Sequence, residues 1–206
     1  MRARVPLLAR ERSRPMSRTR FAAALLAALL ALPAIAQNMN PRGKVEAEIG
    51  RATVSIDYGR PGLGGRSLAD LLGMLPEDRV WRAGQNQVTT IETSAPVRIG
   101  GKTIPAGRYS LYLHIPESGG WQLLVNRHLG VPLREIASQP PPLDLADEPW
   151  PMVARYGQIA NEEAARIALE ETEATGDGDI FEIAVEGGTI RFAWGGAAYQ
   201  TTLASP

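Results

Sequence analysis

The sequence has no cysteine among its 206 residues and only two histidines, His114 and His128. The lack of cysteine excludes disulfides, thiolate zinc sites and cysteine nucleophiles. A serine hydrolase elbow of the Gly-x-Ser-x-Gly type is also missing, and the glycine-rich stretch 62–65 lacks the lysine of a phosphate-binding loop. The core must therefore hold together without covalent cross-links.

Long apolar runs are also scarce, and the longest lies near the start of the chain. It extends from Phe21 to Leu32, follows the basic stretch 17–20 and precedes a small-x-small site at 34–36. A run of about twelve residues is too short to span a bilayer, whereas this order of segments is typical of a secretory signal peptide. We expect residues 1–36 to be removed, and the mature protein, from Gln37, to be periplasmic or secreted.

The residues before Met16 contain five arginines and no apolar periodicity. We therefore expect translation to start at Met16. No cysteine follows the predicted cleavage site, which excludes a lipid-anchored lipoprotein.

The neutral charge of the whole chain depends on its leader. Residues 1–36 hold seven arginines and one glutamate, so the balance of 22 basic and 22 acidic residues becomes 15 against 21, a formal charge of −6. Nucleic-acid binding relies on neutralising phosphates, so we do not expect a nucleic-acid partner. The mature chain, 37–206, is of the size of a single domain, roughly 170 residues.

Apolar and polar residues alternate in most of the mature chain, as is typical of half-buried strands. Glycine-rich turns separate these stretches, and Gly100-Gly101 suits a two-residue hairpin because glycine adopts positive φ. The alternating stretches are 45–49, 54–58, 88–93, 97–104, 109–115, 121–126, 180–185, 189–194 and 198–203. This pattern predicts an all-β fold, an antiparallel two-sheet β-sandwich that is jelly-roll-like.

Three segments depart from the alternation. Residues 67–72 have a serine cap and leucines at helical spacing, which predicts one short helix. Residues 128–160 are rich in proline and acids, which predicts a long, solvated Pro-rich surface loop. Residues 161–171 contain strong helix formers, so local propensity favours a helix, although Ile167 and Leu169 also have the spacing of a strand.

Four spaced motifs resemble one bacterial family. They are Tyr58-Gly59-Arg60-Pro61 with Gly65-Arg66, the stretch 80–90, Ile99-Gly100-Gly101-Lys102, and the stretch 105–111. In this order they are similar to the family called domain of unknown function 2911, over residues 44–126 and more weakly in the final strands. Members usually have alanine where this chain has Val88. The resemblance implies an exported all-β protein without an established reaction, and it implies a strand around Arg166–Glu171.

The loop-rich span between the first strands carries a candidate ligand site. Seven residues form this predicted cluster: Tyr58, Arg60, Arg66, Trp81, Arg82, Asn86 and Thr90. Arginine binds carboxylate or phosphate through two parallel donors, and a tryptophan face stacks on sugars or cations. The cluster predicts a small anionic or glycan ligand, without a cofactor or a metal. The alternative is structural, with the arginines paired to local acids and Trp81 plugging one end of the sandwich.

The sequence leaves three alternatives: a hydrolase, a metal site and a structural module. An envelope hydrolase would use carboxylates together with His114. A metal site at His114, His128 and Glu117 has suitable side chains but no supporting spacing. A structural or partner-binding module would instead use exposed strand edges, without a small ligand.

Overall fold

The fold follows from the alternation of apolar and polar residues along the chain. The computed structural model describes residues 42–174 and 178–206, and the predicted signal segment lies outside them. The strands are β1 (Gly43–Ile49), β2 (Ala52–Tyr58), β3 (Val80–Trp81), β4 (Thr90–Thr93), β5 (Val97–Ile99), β6 (Lys102–Ile104), β7 (Gly107–His114), β8 (Gln122–Asn126), β9 (Val131–Pro132), β10 (Pro149–Trp150), β11 (Glu163–Ala168), β12 (Glu170–Thr172), β13 (Glu182–Glu186), β14 (Thr189–Trp194) and β15 (Ala197–Ala204). The helices are α1 (Leu68–Gly73), α2 (Leu133–Ile136) and two 3-10 helices, Val153–Gln158 and Ala160–Glu162. Within the described ranges, no helix has both the length and the apolar character needed to cross a bilayer.

The predicted hairpins are confirmed. β1 and β2 pair antiparallel, and every second residue of β2 is buried. Gly100 and Gly101 join β5 to β6 with φ angles of 53° and 79°, which a residue with a Cβ rarely adopts. The alternating stretches at 180–185, 189–194 and 198–203 become β13, β14 and β15, which pair antiparallel in chain order.

Two antiparallel sheets contain most of the strands. The first sheet has the order β1-β2-β4-β7-β8-β11, with β3 also paired to β7. The second has the order β13-β14-β15-β5-β6, with β12 also paired to β15, while β9 and β10 form a separate two-stranded ribbon. The predicted all-β, two-sheet sandwich is confirmed.

One hydrophobic core joins the inward faces of both sheets. Leu111 and Leu123 contribute from the first sheet, and Ile99 and Phe192 from the second, each with no more than 1% of its surface exposed. Full burial of such a side chain contributes about 1.5–3 kcal/mol. This core is the main source of stability in a protein without disulfides.

The outer strands of the two sheets lie beside each other. β1 neighbours β13, and β11 neighbours β6. Exposed charged residues, Lys44, Glu46 and Glu48, alternate along β1. Both arrangements limit the access of a foreign strand to a sheet edge.

The predicted short helix is confirmed as α1, and its capping explains where it begins. The Ser67 hydroxyl accepts a hydrogen bond from the Asp70 backbone N–H at 3.1 Å. The Asp70 carboxylate in turn accepts from the Ser67 N–H at 3.1 Å. This reciprocal capping box satisfies backbone donors that the first helical turn leaves unpaired.

The strand implied around Arg166–Glu171 is also confirmed, and the helix favoured by local propensity is wrong. β11 pairs with β8, and β12 pairs with β15. Ile167 and Leu169 are 3% and 6% exposed in the main core. A helix would turn these two side chains to opposite sides, so tertiary burial outweighs the preference of the alanines and glutamates.

The long Pro-rich surface loop predicted at 128–160 is present, and most of its residues are exposed or half-buried, but part of it packs on the first sheet. Residues 128–162, here called the cover segment, contain β9, β10, α2 and both 3-10 helices. Tyr156 and Ile159, each 3% exposed, pack against the outer face of the first sheet around Tyr112 and form a second, smaller core. Prolines interrupt long ladders and helices but do not prevent burial, so composition alone does not reveal this packing.

Candidate functional site

The predicted cluster is divided between the two faces of the first sheet. Trp81 packs against the main core, where its ring stacks on Trp194 with centroids 4.9 Å apart and meets Phe181 edge to face at 4.8 Å. Tyr58 is 4% exposed and donates its hydroxyl to the carbonyl of Ile183 at 3.2 Å. These two aromatic residues therefore stabilise one end of the sandwich.

Two of the three predicted arginines have local partners. Arg60 forms an ion pair with Glu182, with 2.6 Å between Nη2 and Oε1, while its buried Nε has no partner among the described residues. Arg66 is exposed and donates Nε to the carbonyl of Leu63 at 3.2 Å. Both side chains thus tie the loop after β2 to neighbouring backbone or side chains.

Arg82 has a different environment from Trp81, its neighbour in the chain. Arg82 directly follows β3, and its guanidinium lies near Tyr112, whose side chain belongs to the outer face of the first sheet. It is half-buried there, and the structure gives it no hydrogen bond or ion pair with any described residue. Burial lowers the pKa of Arg82 and raises the pKa of the Tyr112 hydroxyl. Arginine nevertheless stays protonated in proteins, so Arg82 is a partly desolvated cation, and no carboxylate pairs with it in the part of the chain that the structure describes.

The loop 82–88 is held by contacts from three directions. The Thr89 hydroxyl donates to the carbonyl of Ala83 at 2.9 Å, and the N–H of Val88 donates to the carbonyl of Pro149 at 2.9 Å. A Cβ added to Gly59 would lie 2.1 Å from the carbonyl oxygen of Gln85, so the loop packs directly on the Gly59 backbone. The contacts determine one loop conformation.

That conformation is strained. Within 42–174 and 178–206, all non-glycine residues with positive φ fall in one short stretch, namely Arg79 at 54°, Ala83 at 49° and Asn86 at 59°. Such backbone angles cost of order 1–3 kcal/mol each and persist only where surrounding contacts enforce them. Residues on both sides of Arg82 are therefore kept in unfavourable geometry.

Two further donors in this region lack acceptors. The side-chain nitrogens Gln85 Nε2 and Trp150 Nε1 are buried and have no partner among the described residues. Gln85 belongs to the same loop as Arg82, and Trp150 follows Pro149, whose carbonyl is bonded to that loop. Arg82, Gln85, Tyr112 and Trp150 are called the Arg82 patch below. Its residues offer several N–H donors and few acceptors.

The other two predicted residues also lie near this face. Thr90 is buried and lies opposite Ser110, which in turn lies opposite Asn126 across the first sheet. Ser110 precedes Tyr112 by two residues and so shares its face. Asn86 is half-buried within the loop 82–88. Of the seven predicted residues, Arg82, Asn86 and Thr90 are thus brought to one region, separate from Tyr58 and Trp81.

The polar groups beneath the cover segment are, in contrast, paired. The Asn126 amide donates to the carbonyl of Ile159 at 2.9 Å, and its oxygen accepts from the N–H of His128 at 2.8 Å. The Tyr156 hydroxyl donates to Glu163 at 3.0 Å, and burial raises the pKa of this tyrosine. These bonds anchor both ends of the cover segment to β8 and β11, so its position is fixed by the sheet.

The described residues do not form the alternative metal site or a histidine–carboxylate pair for a hydrolase. In the described part of the chain, no three His, Asp or Glu side chains form a group suited to a metal, and neither histidine makes an ion pair with a carboxylate. Three surface cavities, of about 230, 360 and 370 Å³, are lined by residues outside the predicted cluster.

The sequence prediction omits three residues of the Arg82 patch. Tyr112 alternates with Leu111 and Leu113, and this alternation is a signal that it faces away from the main core. Gln85 lies inside the family motif at 80–90, but a glutamine side chain at this position does not by itself indicate a role. Trp150 lies in the proline-rich segment, where no periodicity indicates which side chains are buried.

Comparison with known proteins gives a family but no described relative. No curated protein and no solved structure matches the chain significantly. The family model described as "Protein of unknown function (DUF2911)" matches residues 40–202, which include both sheets, the cover segment and the Arg82 patch. The match agrees with the order of the four motifs in the sequence. Because it covers most of the chain, this protein belongs to the DUF2911 family of proteins of unknown function.

Proposed function

We propose that this protein is an exported binding protein without catalytic activity, periplasmic or secreted, and that it binds a small organic anion at the Arg82 patch. The observation that carries the proposal is the half-buried Arg82 guanidinium, which has no acceptor among the described residues. A carboxylate or phosphate group suits it because two of its oxygens match two parallel guanidinium N–H groups.

The electrostatics of the patch support an anion over a neutral or cationic ligand. A cation withdrawn from water without a partner is unfavourable, and a bound anion supplies both the counter-charge and the missing acceptors. Because the mature chain carries a formal charge of −6, attraction of the ligand depends on this local cation rather than on the whole surface.

The strained loop supports the same location. Unfavourable backbone conformations concentrate at functional sites, where they position side chains before a ligand arrives. Arg79, Ala83 and Asn86 flank Arg82 in this way. A glycan stacked on Trp81 is not part of the proposal, because that ring already packs on Trp194 and Phe181.

A thermal-shift panel at matched ionic strength tests the proposal. The probes are succinate, citrate, benzoate, glucuronate and inorganic phosphate, with glucose as a neutral reference. A ligand that binds only the folded state raises the melting temperature with its concentration. We expect at least one anion to do so in the wild type and in Arg66→Gln, an exposed matched control, but not in Arg82→Gln.

The unliganded variants supply a second readout. Removing an unpaired, desolvated cation should leave the stability of Arg82→Gln equal to that of the wild type or raise it by about 1 kcal/mol. A clear loss of stability in Arg82→Gln would show that the guanidinium is structural. The proposal also fails if no anion shifts the wild type, or if Arg82→Gln keeps the full shift.

A further inference from the structure

Arg42 lies immediately before β1 and joins the first sheet to the loop 82–88. Its Nε donates to the Asp57 carboxylate at 2.5 Å, and the two side chains form an ion pair. Its two terminal nitrogens donate to the backbone carbonyls of Gln87, at 3.4 Å, and Val88, at 3.1 Å. One guanidinium thus connects β2 with the C-terminal end of that loop.

Arg42 differs from Arg82 in having a counter-charge. Its partner Asp57 lies within β2, opposite Lys44 of β1 and Thr90 of β4, so the backbone that carries this carboxylate is paired on both sides. The charge of Arg42 is therefore neutralised, and each of its three nitrogens already donates to the protein. Arg42 is suited to holding the loop and not to binding a ligand itself.

The contacts of Arg42 reach the residue next to Arg82 through the loop backbone. Arg42 holds the carbonyl of Val88, and the following residue, Thr89, donates its hydroxyl to the carbonyl of Ala83 at 2.9 Å. Ala83 directly follows Arg82 and has a φ of 49°, a conformation that alanine keeps only where other contacts enforce it. A shift of the backbone at Val88 would therefore move the backbone beside Arg82.

We infer that Arg42 is a positioning residue of the proposed anion site: its contacts with the loop keep the Arg82 guanidinium where an anion can bind it. This inference rests on the proposed function of the Arg82 patch. Without these contacts the loop can relax from its strained conformation, and the affinity for an anion falls with the fraction of molecules that keep the competent geometry. A competent fraction of about one tenth weakens binding about tenfold.

Two substitutions of Arg42 separate positioning from stability. Arg42→Lys keeps a cation that can pair with Asp57, but a single ammonium group cannot also span both loop carbonyls. We expect this variant to keep the melting temperature of the wild type and to bind an anion about tenfold more weakly. Arg42→Gln also removes the ion pair and should weaken binding at least as much. Calorimetric titration measures the affinity for whichever of succinate, citrate, benzoate, glucuronate and inorganic phosphate stabilises the wild type most.

Lys44→Gln is the matched control, because it removes a neighbouring cation on β1. The Lys44 side chain is 65% exposed and pairs with Glu46 at 3.8 Å. This variant should bind the anion as the wild type does. The NMR signal of the Arg82 Nε–H group supplies a readout without ligand: it should shift in Arg42→Lys and stay in place in Lys44→Gln.

The outcomes distinguish this inference from the proposed function. The inference is overturned if the wild type binds an anion and Arg42→Lys binds it equally well, or if Arg42→Lys leaves the Arg82 signal in place. If no anion binds the wild type, the proposed function fails. A shifted Arg82 signal would then still support Arg42 as the residue that positions this side chain, and an unshifted signal would overturn it.

Discussion

At the scale of single residues, the chain neighbours Trp81 and Arg82 have different roles, one in packing and one in the proposed binding site. The indole ring packs between Phe181 and Trp194 in the main core, whereas the guanidinium lies on the opposite face without an acceptor in the described chain. A substitution at Trp81 should therefore act on stability. A substitution at Arg82 should act on binding.

Gly59 provides a prediction about how the Arg82 loop is supported. Gly59→Ala places a methyl group 2.1 Å from the carbonyl oxygen of Gln85, so the loop must move. We expect the free energy of unfolding to fall by about 1–3 kcal/mol, as overpacking usually causes. Urea denaturation measures this loss.

Gly73→Ala is the matched control for this change. A Cβ at Gly73 meets nothing within 4 Å, and the residue ends α1, where alanine is the better helix former. This variant should be neutral or slightly more stable. Equal effects of the two substitutions would contradict direct packing of the loop on Gly59.

At the scale of single residues, the sequence predicts a feature when its cause lies in the residue itself, and not when the cause is a contact with a distant strand. The positive φ angles at Gly100 and Gly101 follow from glycine itself and were predictable. The division of the predicted cluster was not, because it requires knowing that residues 80–81 pair with β7. A two-residue strand is too short for its alternation to be visible in the sequence.

At the scale of elements, α1 carries a pH-dependent cap. Hydrogen bonds from the Ser67 side chain, and then from its backbone N–H, lower the pKa of Asp70 from its ordinary value of 3.8. The stabilisation from the charged carboxylate is therefore present above pH 3.8 and is lost as the pH falls through the lower pKa of the folded state.

Ser67→Ala tests this linkage. Without the hydroxyl donor, the pKa of Asp70 should rise toward 3.8 in an NMR titration of its carboxyl group. The variant should lose helix stability near neutral pH, and the difference from the wild type should shrink in acid, where only the bond that the Ser67 hydroxyl accepts from the Asp70 N–H remains. Ser118→Ala, at an exposed position, should leave the titration of Asp70 unchanged. An unchanged Asp70 titration in Ser67→Ala would rule out the capping box as the cause.

The cover segment leads to a different prediction, because it has its own small core. The ring of Tyr156 packs on Tyr112 with centroids 4.9 Å apart, and few other side chains join it there. Tyr156→Ala should cost roughly 3–5 kcal/mol locally, as aromatic truncations in cores do. We expect hydrogen exchange to accelerate in residues 128–162 while the strands of the main core remain protected.

Arg155→Ala is the control for the cover segment, since it changes the preceding, exposed residue. Its exchange pattern should match that of the wild type. If Tyr156→Ala instead accelerates exchange equally in both sheets, the two cores unfold as one unit.

The cover segment also shows where sequence reasoning fails for elements. Alternation of apolar and polar residues, together with glycine turns, predicts the regular hairpins, and these are confirmed. Tyr156 lies in a 3-10 helix and Ile159 directly after it, in a segment without periodicity, and their burial depends on a sheet surface formed more than thirty residues earlier in the chain. β11 was recovered only through the family resemblance, because local propensity pointed to a helix.

At the scale of the whole molecule, the proposed export of the chain makes a prediction that does not depend on any ligand. Expressed in a bacterial cell from its own leader, the protein should be recovered outside the cytoplasm with Gln37 at its N-terminus, as measured by intact mass. Leu26→Arg interrupts the apolar run and should leave an uncleaved chain in the cytoplasm. Recovery of the wild-type chain intact in the cytoplasm would contradict export.

The side-by-side packing of the outer strands affects how copies of this protein behave when crowded. Unpaired N–H and C=O groups along a sheet edge are templates on which other chains polymerise into fibrils. In this protein, a strand from another chain that approached β1 or β6 would be blocked by β13 or β11 of the same molecule. The exposed charges along β1 add electrostatic repulsion. Addition of strands at these edges is thereby disfavoured, so we expect any contact between copies to use faces and loops, not growth of one sheet along a filament.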